Sequence, residues 1–242
     1  MPTALSVNIN KVALIRNSRG ANRPDVLQIA RDLEDYGADG ITIHPRPDER
    51  HVKYSDAYAL RDVVRTELNI EGYPSERFLK MVHEVQPAQC TLVPDAPGQL
   101  TSDHGWDAKS RYEELRRIIE PLQELGVRVS IFLDPDPEQV AFAKMSGTDR
   151  IELYTGPYAH VYPKDPARAV AAYKITAMAA IDAGLGINAG HDLDLSNLQH
   201  FIDHTPALLE VSIGHALISD ALYYGLSNTV NMYKSRCLPT AN

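Results

Sequence analysis

The order of the predicted elements indicates an α/β fold, a parallel eight-stranded (β/α)8 TIM barrel. Across 242 residues, short β-rich runs alternate with longer amphipathic segments, and each kind occurs eight times. Strict alternation with short connections is typical of parallel strands joined by right-handed crossovers. A doubly wound open sheet is disfavoured because no G-x-G-x-x-G turn follows the first run. Since no linker or low-complexity segment interrupts the chain, we expect residues 1–242 to form one domain.

The predicted strands are short runs rich in Val, Ile, Leu, Thr and Tyr, each bounded by Gly, Pro or a polar residue. They comprise residues 5–9, 40–45, 69–73, 89–94, 127–134, 150–156, 186–190 and 209–216. Amphipathic segments fill the gaps and are predicted to be helices. The first begins near Pro24, and the others comprise residues 55–66, 75–85, 109–125, 137–146, 166–183, 195–202 and 216–234.

Local signals mark the ends of these helices. Pro24 suits the first turn of the helix that stops at Gly37, and Asp165 is a good N-cap residue before Pro166. Glycines after apolar helical stretches predict further C-terminal stops at Gly126, Gly147 and Gly184. Residues 95–106, DAPGQLTSDHGW, form a long polar loop after the fourth strand, which is typical of an active-site lid.

Composition excludes several classes of protein. The formal net charge of −8 argues against a nucleic-acid surface, although a local pocket on an acidic protein can still attract anionic small molecules. With only two cysteines, neither a disulfide framework nor a Cys-based metal site is expected, which fits a cytoplasmic protein. The first residues lack the pattern of a signal peptide, and no apolar run approaches the roughly 20 residues of a membrane span.

Polar or ionisable side chains follow all eight predicted strands. The carboxyl ends of barrel strands meet at one face, where active sites of this fold lie. Any one such residue is commonly a solvated strand terminus, but eight sets together indicate an active site. They are Asn8, Asn10 and Lys11; His44 and Arg46; Glu71; Asp95; Asp134; Glu152; Asn188 and His191; and Ser212 and His215.

The types of these residues indicate acid/base chemistry beside a bound anion. His44 can exchange protons near neutral pH, and Glu71 is a natural general base because partial burial favours its protonated form. Arg46 and His51 are candidates for binding a phosphate group. Glu152 faces the barrel interior if its two aliphatic neighbours face the helices. The alternative for Glu152 is a structural ion pair with a neighbouring Lys or Arg.

The ends of the last two strands are predicted to bind phosphate. Gly190-His191-Asp192 and Gly214-His215 follow strands seven and eight, where barrels bind phosphate through backbone N–H groups and a helix N-terminus. Glycine allows the backbone to approach such a ligand closely. Thr101 and Ser102 in the long loop are candidates for additional hydroxyl donors.

Several collinear motifs resemble the pyridoxine 5′-phosphate synthase family. The first is VNINKVALIRNSRG at residues 7–20, and the second is GADGITIH at residues 37–44 followed by Arg46 and Arg50-His51. Asn69-Ile-Glu71, Leu92-Val-Pro94, Asn188-Ala-Gly-His191 and Ile213-Gly-His215 complete the set. The matches span nearly the whole chain, and together they are highly specific.

The resemblance implies a transferase of vitamin B6 synthesis. Its reaction condenses 1-deoxy-D-xylulose 5-phosphate with 3-amino-2-oxopropyl phosphate, and the products are pyridoxine 5′-phosphate, phosphate and water. The resemblance further implies a (β/α)8 barrel with additional short helices, a homo-octamer in the cytoplasm, and chemistry that needs neither a metal ion nor an organic cofactor. No nucleic-acid or membrane partner is implied.

The resemblance also assigns roles to individual positions. His44 and Glu71 would accept protons, His191 would act as acid or base, and Glu152 would stabilise a transition state. Two substrate-binding sets follow. The aminoketone phosphate or the product would contact Asn8, Arg19, Gly214 and His215, and the deoxyxylulose phosphate would contact Asn10, Lys11, Arg46, His51 and Thr101. Asp192 would also bind substrate.

Two positions depart from the better-known family pattern. Asn10-Lys11 stands where that pattern has Asp-His, so phosphate or hydroxyl contacts can survive but a proton role specific to His cannot. Asp192 stands where the family has Gly. We expect a backbone N–H contact there to tolerate Asp if the required φ is negative, with the carboxylate turned away from phosphate.

Two other functions fit the residues without the resemblance. Several His and carboxylate side chains at strand ends could bind a divalent metal, as in an aldolase or epimerase that acts on sugar phosphates. A non-catalytic carrier of a phosphorylated vitamer would also place anion-binding groups around a common cavity. Activity after chelation and the effect of changing His44 or Glu71 distinguish these alternatives.

Overall fold

A closed barrel of eight parallel strands forms the centre of the protein, as a computed structural model describes it for residues 2–95 and 102–240. Each strand pairs with its neighbours in sequence order, and β8 closes the barrel on β1. The (β/α)8 fold predicted from the sequence is therefore confirmed. The strands are β1 Ala4–Asn8, β2 Gly40–Ile43, β3 Glu67–Gly72, β4 Gln89–Leu92, β5 Arg128–Leu133, β6 Arg150–Tyr154, β7 Gly186–Gly190 and β8 Leu208–Ile213.

Helices surround the barrel and cover the apolar outer faces of the strands. Among residues 2–95 and 102–240, every helix is too short or too polar to cross a bilayer. The helices are α1 Asn10–Asn17, α2 Val26–Asp35, α3 Tyr54–Arg61, α4 Glu76–Val85, α5 Ala108–Glu124, α6 Pro137–Met145, α7 Gly156–Val161, α8 Pro166–Asp182, α9 Leu198–His204, α10 His215–Tyr224 and α11 Leu226–Arg236.

The helices differ from the sequence prediction in several places. Pro24 lies before α2 rather than in its first turn, because the Asp25 carboxylate accepts the N–H groups of Leu27 and Gln28 and so begins the helix at Val26. No helix was predicted at residues 10–17, where α1 begins at Asn10, or at residues 156–161, where α7 lies. The predicted helix 216–234 is divided into α10 and α11 at Gly225, where φ is +76°.

Most of the side chains that point into the barrel are polar, whereas barrel interiors are commonly filled by Val, Ile and Leu. In the middle of the barrel the Ser6 and Thr42 hydroxyls lie 2.6 Å apart. The Thr91 hydroxyl donates to Asn69 Oδ1 at 3.1 Å. Because these groups are buried, their hydrogen bonds to one another replace those to water.

A charged layer closes the amino-terminal end of the barrel. Arg150 Nη1 lies 3.4 Å from Glu210 Oε2 and donates to Asn188 Oδ1 at 3.0 Å. Arg128 donates through Nε to Gln89 Oε1 at 2.9 Å and also pairs with Glu67. Burial raises the pKa of Glu210 to about 7, and the positive charge of Arg150 opposes that rise. Arg150 therefore stabilises a carboxylate that has little access to water.

We expect Arg150→Met to destabilise the fold by about 3 kcal/mol, because it leaves the buried Glu210 without its counter-charge. Urea unfolding followed by circular dichroism measures the change. Arg116→Met is the matched control, since the exposed pair of Arg116 and Glu120 contributes about 1 kcal/mol or less. Equal unfolding midpoints for the two variants would contradict this account of the charged layer.

Candidate active site

The carboxyl ends of the strands bring the predicted acid/base residues together. Glu71 at the end of β3 lies at the centre of the group, with its Oε2 atom 3.9 Å from Nδ1 of His44 after β2. Asn8 Nδ2 donates to the same oxygen at 3.4 Å, and the Ser212 hydroxyl donates to Oε1 at 3.4 Å. Side chains from four strands, far apart in sequence, therefore surround one buried carboxyl group.

Burial sets the protonation state of these groups. Burial and, after it, the negative charge of Asp95 raise the pKa of Glu71 to about 8, against the lowering effect of the Ser212 hydrogen bond. Burial also holds the pKa of His44 well below its usual range, with the nearby positive charge of Arg46 acting in the same direction. At neutral pH, a neutral imidazole beside a carboxyl group that titrates near 8 can both accept and donate protons.

Glu152 on β6 points into the barrel, as the pattern of its neighbours predicted. A Cβ atom added to Gly190 would lie 2.4 Å from Glu152 Oε1, so the glycine allows the carboxyl group to lie against the backbone of β7. Burial raises the pKa of Glu152 well above its usual range, and repulsion from Glu71 raises it further. The structural ion pair considered for Glu152 is formed instead by Arg150 with Glu210.

The end of β7 holds His191 in an unusual backbone conformation. Its φ is +75°, and the φ of Asp192 is +54°, so the condition under which we expected Asp192 to be tolerated, a negative φ, is not met. The buried Thr155 hydroxyl is shared between the carbonyl oxygens of Gly190, at 2.6 Å, and His191. The His191 ring packs edge-on against Phe132 and Tyr154, with centroids 5.4 and 5.8 Å away. These contacts fix both the backbone and the ring of His191.

Sequence reasoning missed Thr155, Phe132 and Tyr154. Thr155 occupies the N-cap position of α7, where a hydroxyl usually accepts a backbone N–H, but here it donates across to β7. The only sequence signal for Thr155 was that a polar residue directly follows a strand.

Burial lowers the pKa of His191, so its imidazole is neutral at physiological pH.

Arg46 and Asp95 form a buried ion pair beside the acid/base group. Arg46 Nη2 lies 2.6 Å from Asp95 Oδ2, and the Ser102 hydroxyl donates to that oxygen at 2.7 Å. The other carboxylate oxygen, Asp95 Oδ1, is buried without a hydrogen-bond partner. Thr101 lies outside the described residues. Arg46 thus presents its charge at the site while one of its N–H groups is held by Asp95.

The predicted binding residues at the start of α1 lie beside the acid/base group. Asn10 Oδ1 accepts the backbone N–H of His44 at 3.0 Å, and the Asn10 N–H donates to Asn8 Oδ1 at 3.0 Å. The positive charge of Lys11 lowers the pKa values of His51 and His191, so it lies near both rings. Asn10 therefore has a structural role, the support of His44, that the sequence did not indicate.

Gly214 lies at the start of α10, and its backbone approaches Asn8 closely. A Cβ atom there would lie 3.0 Å from the Asn8 Cβ atom. His215 is the first residue of α10 and is exposed, and a helix of ten residues presents a positive dipole end at this point. Arg19 is exposed beyond the end of α1, and the contacts described for residues 2–95 and 102–240 do not connect it to His44 or Glu71.

Within residues 2–95 and 102–240, no cluster of three or more His, Cys, Asp or Glu side chains is arranged to hold a metal ion. A (β/α)8 barrel with titratable groups at the carboxyl ends of its strands has the architecture of a barrel enzyme.

Comparison with known proteins gives the family. Residues 5–238 match the family described as Pyridoxal phosphate biosynthesis protein PdxJ, and the chain belongs to this family. A protein named Pyridoxine 5′-phosphate synthase from Bacteroides fragilis (strain YCH46) is 56% identical over 236 residues, which are 98% of this chain and 99% of that protein. A protein of the same name from Porphyromonas gingivalis is 54% identical over 234 residues, which are 97% of this chain and 98% of that protein. The resemblance noted in the sequence is therefore confirmed.

Solved structures with much lower sequence identity share the fold alone. Orotidine 5′-monophosphate decarboxylase from Methanocaldococcus jannaschii superposes on this protein with a TM-score of 0.64 at 10% identity. The superposition covers 98% of this chain and 99% of that chain. A 4-hydroxy-2-oxoglutarate aldolase/2-deydro-3-deoxyphosphogluconate aldolase from TTHB1 gives a TM-score of 0.63 at 19% identity, covering 97% and 94% of the two chains.

We expect Thr155→Val to lower kcat by roughly tenfold to a hundredfold, because loss of the hydroxyl releases the backbone that aims His191. Steady-state turnover at saturating substrate measures this effect. Thr155→Ser keeps the hydroxyl and is the matched control, for which we expect near wild-type turnover. A Val variant that folds and turns over as fast as the Ser variant would show that Thr155 does not support His191.

Proposed function

We propose that this chain condenses 1-deoxy-D-xylulose 5-phosphate with 3-amino-2-oxopropyl phosphate to form pyridoxine 5′-phosphate, phosphate and water. The observation that carries the proposal is the 56% identity, over 98% of the chain, to a relative named for this synthase activity. The site geometry supports it, because imine formation, loss of water and phosphate, and ring closure all require proton transfers at several positions.

In the proposed reaction, His44 and Glu71 accept protons. The neutral imidazole of His44 is ready to do so, and Glu71 accepts one whenever it is ionised. His191, on the β7 side of the site, exchanges protons with the leaving oxygen groups. Burial raises the pKa of Glu152 well above its usual range and so favours its neutral form, and a neutral carboxyl group can donate a hydrogen bond to negative charge that develops in a transition state.

Two phosphate groups must be held together while the ring closes. We assign the sugar phosphate to the side of the site with Asn10, Lys11, Arg46, His51 and Thr101. Positive charge near the His51 ring, from Arg46 and Lys11, supports that assignment. We assign the aminoketone phosphate or product to the start of α10, where the helix dipole favours an anion. This second set comprises Asn8, Arg19, Asp192, Gly214 and His215.

We also propose that residues 1–242 form one domain and that copies of the chain assemble, as an octamer, in the cytoplasm. Leu222 and Tyr223 on α10 are 76% and 85% exposed, and large apolar side chains at a surface favour contact with another protein. Cys90 and Cys237 are both buried as free thiols, which fits a reducing compartment.

Mixing the purified protein with the two phosphorylated substrates tests the proposal, since a new pyridine ring absorbs in the near ultraviolet. We expect product to form, and to form equally well after exhaustive chelation. Activity that disappears on chelation and returns with a divalent metal would instead favour a metal-dependent aldolase or epimerase. Phosphate-ligand binding without any product, unchanged by Glu71→Gln, would identify a carrier.

The pH dependence follows from Glu71. A general base acts in its ionised form, so we expect kcat/KM to rise as pH increases through an apparent pKa of about 8. The Ser212 hydrogen bond favours the ionised carboxylate, so Ser212→Ala is expected to move the rise to higher pH. A profile measured from pH 6 to 9 that stays flat, or that moves to lower pH in Ser212→Ala, would contradict this role for Glu71.

A further inference from the structure

Arg16 on α1 connects that helix to the segment that follows β2. Its Nη1 and Nη2 atoms lie 2.7 and 2.8 Å from the two carboxylate oxygens of Asp56, at the start of α3. Nη2 also donates to the carbonyl oxygen of His51 at 3.3 Å. The side chain of Arg16 is only 9% exposed, so this bidentate pair is well shielded from water and constrains the geometry.

Asn17 holds the same segment from the next position. Its Nδ2 atom donates to the carbonyl oxygens of His51, at 2.7 Å, and Arg50, at 3.1 Å. Its Oδ1 atom accepts Nε of Arg16 at 3.1 Å, which aligns the two side chains. Together, Arg16 and Asn17 satisfy both successive carbonyl groups. We refer to these two residues as the α1 clasp.

His51, the residue held by the α1 clasp, has a defined protonation pattern. Its Nδ1 atom accepts the backbone N–H of Val52 at 2.9 Å, so the proton of the neutral ring lies on Nε2. The ring lies edge-on to His44, with centroids 6.4 Å apart. Since the ring is buried among positive charges, it stays neutral at physiological pH. His51 thus offers the site a single N–H donor whose direction depends on the backbone of residues 50–52.

We propose that Arg16 and Asn17 are positioning residues that aim the His51 Nε2–H donor at the sugar phosphate. The inference rests on the proposed function and adds to it, because neither residue faces the acid/base group. A hydrogen-bond donor contributes to substrate binding only when its direction is fixed within a small angle. The contacts to His51 therefore connect α1 to the affinity for one of the two substrates.

This role predicts an effect confined to one substrate. Loss of the α1 clasp frees the backbone of residues 50–51 without altering Glu71, His191 or the start of α10. We expect KM for 1-deoxy-D-xylulose 5-phosphate to rise about tenfold, with kcat and KM for the aminoketone phosphate changed by less than about twofold. A purely structural role would lower the amount of active enzyme, and therefore kcat, while leaving both KM values unchanged.

Asn17→Leu is the principal variant, because Leu has a similar size but cannot donate to either carbonyl. Arg16→Lys is the second variant, since Lys keeps the charge beside Asp56 but lacks the planar fork that also reaches the His51 carbonyl. Arg116→Met, at the exposed pair on α5, is the control for which all three constants should stay at wild-type values. If Asn17→Leu does not fold, the same constants of Arg16→Lys decide the question.

The tautomer of His51 is a second, independent measurement. In wild-type protein labelled with ¹⁵N-histidine, we expect the Nδ1 and Nε2 chemical shifts of His51 to show a proton on Nε2 alone. In the Asn17→Leu variant, we expect the same shifts to show a mixture of the two tautomers. Unchanged KM for the sugar phosphate and an unchanged tautomer in a folded variant would overturn the inference. If wild-type protein makes no product, the proposed function fails, and the tautomer measurement alone tests the α1 clasp.

Discussion

The burial of carboxyl groups inside a polar barrel is the constraint on which the rest of the structure depends. Glu71 and Glu152 near one end, and Glu210 near the other, repel one another through a medium that contains little water. Such groups are tolerated only when they are protonated, hydrogen-bonded or paired. Arg150 pairs with Glu210 at the closed end, whereas at the open end burial raises the pKa values of Glu71 and Glu152 and so favours their protonated forms. The same cost of burial is therefore met by an ion pair at the amino-terminal end of the barrel. At the carboxyl end it is met by protonation, which leaves a carboxyl group that can gain and lose a proton.

The fold was predictable because its signal repeats along the chain. Each of the eight strands is a short β-rich run, and each is followed by an amphipathic segment, so an error at one boundary does not alter the topology. Errors occurred where one side chain decides a local structure. The start of α2 is set by the capping carboxylate of Asp25 and not by Pro24. Gly225 divides a continuous apolar pattern into α10 and α11. Such boundaries depend on individual caps and on backbone angles that periodicity does not report.

The grouping of the acid/base residues was predictable, but the contacts that support them were not. Residues at the ends of parallel strands must meet, so His44, Glu71 and His191 could be grouped from their positions alone. Thr155 could not be assigned, because its partner carbonyls lie 35 and 36 residues away, across a strand pair. The positive φ of Asp192 was not predictable either, because the residue type alone does not fix a backbone angle.

Arg46 connects phosphate binding with proton transfer. Its positive charge lowers the pKa of Glu71, whereas the negative charge of its partner Asp95 raises it. A phosphate that approaches Arg46 adds negative charge on the same side of Glu71 as Asp95 does. Coulomb repulsion then favours the protonated form of Glu71 more strongly once the sugar phosphate is bound. Under the proposed function, binding of the sugar phosphate thus makes Glu71 harder to ionise, so a Glu71 that has accepted a proton keeps it until a later step removes it.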